Sequence, residues 1–118
     1  MNPTQLLEWQ WSGYPRYHRD RTNLLLHIAA VPVFDIGTLL MLAGLFTLSW
    51  APALGGVFCV VASMLAQGRG HRLEAVPPEP FTGPGNFMGR LLLEQWVNFP
   101  RFVLSGGWSR NLKSADER

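Results

Sequence analysis

Three histidines are the only imidazoles in this chain of 118 residues, and their spacing defines the chemistry open to it. His27 lies inside one long apolar run and His71 closes a second. If the chain turns near Ala51, His27 stands 24 residues before the turn (51 − 27) and His71 stands 20 after it (71 − 51). At about 1.5 Å of rise per helical residue, the two differ in depth by about 6 Å. Antiparallel helices pack about 8–10 Å apart, so imidazoles on facing sides can share one ion. A polar ring in an apolar helix also needs a partner, because burying it unpaired is costly.

The neighbours of these rings extend the site. Asn23 precedes His27 by one helical turn and Gln67 precedes His71 by one, so both are candidates for supporting hydrogen bonds. Glu74 follows His71 by three residues, and a Glu and a His three apart in a helical bundle commonly offer an oxygen and a nitrogen to iron or manganese. Two or three imidazoles with a carboxylate suit Fe(II) with open positions, and zinc fits the same ligands. On one unbroken helix His18 would sit about 180° from His27. It joins the site only if the helix begins after it, with Tyr17-His18-Arg19 folding back as a turn, and Gly13 and Pro15 just upstream favour such a bend. Each histidine alone has an ordinary reading: His18 as a solvated or capping side chain, His71 as an interfacial residue near a helix C-terminus. Their shared depth favours the joint site.

Such a site needs a scaffold. Hydrophobic residues make up 47% of the chain and charged residues 15%, while an ordinary soluble domain carries about 25% charged. The polar residues gather at both ends, so mean hydropathy is only +0.07. Between Thr22 and Gly68 the one formally charged residue is Asp35. The expected fold is therefore all-α: a small membrane bundle built on a transmembrane helical hairpin, with helices over roughly 20–49 and 53–72 and Pro52 in the first turn of the second. Pro32 is expected to kink the first helix or divide it, with Asp35 capping a helix that restarts. A soluble bundle of this length could hardly cover two helices that are apolar all round.

The rest of the single domain is arranged around the hairpin. Residues 1–19 form an N-terminal segment at the interface, with a short helix over Pro3–Trp11 and a belt of Trp9, Trp11, Tyr14 and Tyr17. Residues 75–86 hold four prolines and two glycines and read as a loop. Residues 87–104 form an apolar helix in which Arg90, Glu94, Asn98 and Arg101 share one narrow polar face, bent at Pro100. That face suits a carboxylate head group or an internal salt-bridged stripe. The tail, residues 109–118, is expected to fray. Arginines flank both ends of the hairpin and none lies at its tip, so both termini are expected in the cytoplasm; in a bacterium the multi-pass chain would sit in the inner membrane. No basic region precedes an apolar core at the N-terminus, so no cleavable signal peptide is expected. Net charge is +2 without a basic stripe, which argues against nucleic acid. The lone Cys59 reads as a buried hydrophobe. Gly37, Gly44, Gly55 and Gly56 would permit close helix packing, including self-association as a homo-oligomer. There is no phosphate loop, nucleotide fingerprint or serine elbow.

Tyr17-His18-Arg19, Asn23, His27 with Val31-Pro32, and then Gln67-Gly68-x-Gly70-His71-x-x-Glu74 resemble the family of the fungal endoplasmic-reticulum 2-hydroxy-fatty-acid dioxygenase and its bacterial relatives. The resemblance covers roughly residues 14 to 75; beyond Glu74 the chain follows a pattern of its own. It implies an Fe(II)-dependent α-oxidation in lipid metabolism, in which a 2-hydroxy fatty acid reacts with dioxygen and leaves one carbon shorter. It implies His18, His27 and His71 as catalytic iron ligands with Glu74 as a fourth, and Asn23 and Gln67 as supports. Arg90, Glu94, Asn98 and Arg101 are then the candidate substrate-binding set, with Arg90 or Arg101 on the carboxylate. Two readings compete: a haem protein with His27 and His71 as axial ligands, and a non-catalytic membrane module that binds lipid or a partner helix.

Overall fold

The computed structural model describes residues 1–118, and the chain is helical throughout, with no strand. Helix α1 spans Pro3–Tyr17. Asn2 and Gln5 close its N-terminus reciprocally, each side chain accepting from the other's backbone N–H. The helix runs through Gly13 and Pro15, six residues past the expected end at Trp11 (17 − 11), and breaks only at His18. Helix α2, Arg21–Thr47, restarts at Asp20, whose carboxylate accepts from Asn23 N at 2.9 Å. It stays one helix through Pro32, so of the two alternatives, a kink or a division capped by Asp35, the division does not occur.

Leu48, in the left-handed region at φ 54°, turns the chain at the hairpin tip, and α3 follows over Trp50–Arg72. The two helices touch through small residues. A Cβ on Gly37 would strike Cys59 and the Gly56 carbonyl, one on Gly56 would strike Met41, and one on Gly44 would strike Ala53. Three of the four glycines considered for self-association therefore serve the hairpin itself, and Gly55 alone faces open space. Both helices are long and apolar enough to cross a membrane, and no third helix is.

After a loop from Leu73 to Gly83, α4 (Pro84–Leu93) leads into a π-helical turn, Glu94–Asn98, and then α5, Phe99–Leu104. Pro100 has no N–H, and its ring would clash with the Trp96 carbonyl in an ordinary α-turn. The chain answers with a wider turn, closed by Phe99 N donating to Glu94 O. This breaks the expected single polar face. Asn98 donates to Leu7 O and Gln10 Oε1 on α1, and Arg101 lies over the Trp11 ring with Glu8 at 3.8 Å.

The C-terminal residues do not fray at Ser109 as expected; they form α6, Gly107–Asp116. Trp108 Nε1 donates to Leu24 O, and Asn111 Nδ2 donates to Pro15 O and His18 O, satisfying carbonyls that the end of α1 leaves free. The buried core of Tyr14, Leu24, Val31, Phe99 and Phe102 gathers at this end of the hairpin. The tip half projects beyond it with Leu39, Leu45, Phe46 and Phe58 exposed.

Candidate metal centre

Three separate elements bring the histidines together. His18 comes from the break after α1, His27 from α2 and His71 from the last turn of α3. Their ring centroids form a near-equilateral triangle of 4.9, 4.9 and 4.8 Å, each pair meeting edge to face. The fourth member is Glu94, turned inward at the start of the π turn. One ligand atom from each of the four lies within 4.8 Å of all the others, a cluster that could hold a metal ion. The close approach of α2 and α3 depends on Gly70, where a Cβ would fall on Asn23 Oδ1.

The protons of two rings can be placed from their partners. His18 Nδ1 faces Tyr14 O at 2.8 Å and His27 Nδ1 faces Asn23 O at 3.1 Å. Carbonyl oxygens only accept, so both Nδ1 atoms donate. In the neutral rings Nε2 then carries a lone pair, and both Nε2 atoms face Glu94 Oε2, at 3.1 and 3.8 Å. Lone pairs aimed at a carboxylate oxygen repel; a cation between them, proton or metal, makes the same arrangement favourable. His27 Nε2 and His71 Nδ1 are buried without any hydrogen-bond partner, an exceptional state for interior polar atoms. Orphaned nitrogens, backbone carbonyls fixing the tautomers and an inward carboxylate together make a donor set that fits a divalent metal.

Burial alone would raise the Glu94 carboxyl. The hydrogen bond and charge of His18, with the charges of His27 and His71, outweigh it and hold the group well below the usual carboxylate range. Tyr14 moves the other way: burial, then the Glu94 charge and hydrogen bond, push its hydroxyl well above the ordinary value. Tyr14 therefore stays protonated and donates to Glu94 Oε2 at 2.9 Å.

Glu74 is not in the cluster. The helix ends at Arg72, so the one-turn register with His71 is lost, and the Glu74 carboxylate instead accepts from Arg19 N, Asp20 N and Asn23 Nδ2. It braces the segment that leads into α2, where three groups donate to one anion. Asn23 does support His27, through its backbone carbonyl, while its side chain holds Glu74. Gln67 makes a reciprocal amide pair with Gln95 at 2.8 and 2.7 Å and donates to Ser63 Oγ, so it ties α3 to the π turn and gives His71 no hydrogen bond.

His18, His71 and Glu94 line one wall of a cavity of about 620 Å³ between α1, α3, α4 and the proline-rich loop. Met64, Phe81, Phe87 and Leu91 supply apolar wall, and Arg16, Arg72 and Arg90 reach it without an ion-pair partner. Arg90 lies between the rings of Phe81 and Trp9 and donates to the Pro80 and Glu79 carbonyls. Asn98 and Arg101 do not line the cavity. Of the proposed substrate-binding set, Arg90 and Glu94 reach it, and Glu94 does so as a member of the metal cluster. Pro100 alone does not signal this, since α2 passes Pro32 without a widened turn; the packing that turns Glu94 inward leaves no mark in the spacing. A haem between His27 and His71 has no slot, because their rings already touch and His18 closes the third side. Comparison with protein-family models, with curated proteins and with solved structures finds no match.

Proposed function

We propose that this protein is an Fe(II)-dependent membrane dioxygenase that shortens 2-hydroxy fatty acids, or a closely similar lipid, by one carbon. The observation that carries the reading is the convergence of three imidazoles and one carboxylate on a single point at the wall of a large, partly apolar cavity. His18, His27, His71 and Glu94 would hold the ion, with Glu94 in the place the family resemblance gives to Glu74. When bound, iron(II) supplies the capacity to activate dioxygen. The reaction balances without an outside reductant: hydroxy acid and dioxygen give the acid one carbon shorter, carbon dioxide and water.

The chain's own residues have the remaining tasks. Arg90, with Arg16 and Arg72, offers positive charge for the substrate carboxylate in a cavity that Glu74 and Glu79 also line. Met64, Phe87 and Leu91 offer apolar surface for an alkyl chain. The hairpin α2–α3 spans the bilayer in this reading, with both chain termini and the metal cluster toward the cytoplasm, beside the flanking arginines.

The test is metal analysis and turnover of the full chain purified anaerobically in detergent. One iron per chain is expected, with oxygen uptake matched by release of the shortened acid from a 2-hydroxy fatty acid. His27→Ala and His71→Ala are expected to lose both iron and turnover. Wild-type protein that takes up no divalent metal would overturn the reading, and iron without turnover would overturn its substrate.

A further inference from the structure

Tyr14 is 2% exposed and bound to the cluster in three ways. Its ring stacks on His18 with centroids 3.9 Å apart and planes 9° from parallel. Its carbonyl oxygen accepts from His18 Nδ1 at 2.8 Å, and its hydroxyl donates to Glu94 Oε2 at 2.9 Å. That oxygen is also the one faced by His18 Nε2 and His27 Nε2. Phe102 supports the ring from the side, centroids 5.0 Å apart. One side chain thus touches two members of the cluster that come from opposite ends of the chain.

We infer that Tyr14 is a positioning residue of the metal centre, holding the plane of His18 by stacking and the carboxylate of Glu94 by its hydroxyl. This rests on the metal-binding part of the proposed function. The two halves of the task are separable. The Glu94 side chain leaves the start of the π turn, and the Tyr14 hydroxyl is the donor that reaches its Oε2 whatever the protonation of the imidazoles. His18 follows the end of a helix at φ −132°, outside the regular helical region, and its ring plane is set by what it lies against. Groups that orient ligands in this way typically change metal affinity about 10–100-fold when removed.

The experiment is an anaerobic titration of the detergent-purified full chain with Co(II), a coloured stand-in for Fe(II), read by affinity and by the visible ligand-field bands. Tyr14→Phe keeps the ring on His18 and removes the hydroxyl. It is expected to bind one Co(II) about 10-fold or more weakly, with shifted bands. Tyr14→Leu removes the stacking as well and is expected to bind more weakly still. In a Glu94→Gln background the added Tyr14→Phe change is expected to have no further effect on affinity, because the hydroxyl acts through that carboxylate. Wild-type affinity and bands in Tyr14→Phe, or full additivity with Glu94→Gln, would overturn the inference while leaving the metal site intact. If wild type binds no Co(II) at all, the metal site itself fails.

Discussion

At the scale of residues, the centre is governed by which atoms can donate. Two imidazoles give their Nδ1 protons to carbonyls, so their remaining nitrogens meet Glu94 as acceptors against an acceptor, and only a cation reconciles them. Glu94→Gln keeps the size of the side chain and removes the charge. It should cut metal affinity by at least about 10-fold, measured by competition with a chelating dye. The same carboxylate makes a pH prediction for the metal-free protein. Its folded-state value is depressed, so the unfolded chain binds more protons than the folded one as acid is added. The stability it contributes is present above the ordinary carboxylate range and is lost as pH falls through the depressed value. Denaturant midpoints in detergent should therefore fall on acidification through and below the usual range near pH 4 in wild type, and fall less steeply in Glu94→Gln. Equal slopes would mean that the carboxylate is not held by its imidazole neighbours.

At the scale of elements, Glu74 and Glu94 exchange the roles that regular helices would assign them. Spacing on an ideal helix puts Glu74 beside His71 and puts Glu94 on a stripe with Arg90 and Asn98. The structure ends α3 at Arg72 and widens the chain at Glu94, and each departure moves one carboxylate. Glu74→Ala should consequently cost about 1–3 kcal/mol of stability, the range for leaving hydrogen-bonded donors without their acceptor, while metal stoichiometry stays at the wild-type value. Loss of metal at unchanged stability would restore Glu74 to the ligand set. The hairpin and the meeting of His27 with His71 are legible in the sequence because long charge-free runs leave few alternatives and depth follows from counting residues. The break that frees His18 is legible too: the site requires a turn at Tyr17-His18-Arg19, and the chain leaves the helix at residues 18–20. Glu94 and the bracing of α1 by Asn111 are not legible from periodicity. Both arise from contacts between segments about 76 and 93 residues apart, which only tertiary packing brings together.

At the scale of the whole molecule, the buried core and the metal cluster share one end, and the other end is two apolar helices with little to cover them. Leu39 is 56% exposed near the middle of the first candidate span, between His27 and the turn at Leu48. The environment of that surface decides what a charge does there. In water an exposed Leu→Arg change away from special features stays within about 0.5 kcal/mol. At the centre of a bilayer-spanning helix an arginine costs about 2.5–3.5 kcal/mol on insertion scales. Leu39→Arg should therefore lower the membrane-inserted fraction of newly made protein strongly, read by resistance to carbonate extraction. Leu48→Arg, at the exposed tip where the chain turns, should insert like wild type because its side chain can reach the interface. If both variants behave alike, remaining fully soluble and folded without detergent, the exposed face of the hairpin meets something other than lipid. The metal centre would then sit in a water-facing bundle, and the case for a membrane-borne substrate would go with it.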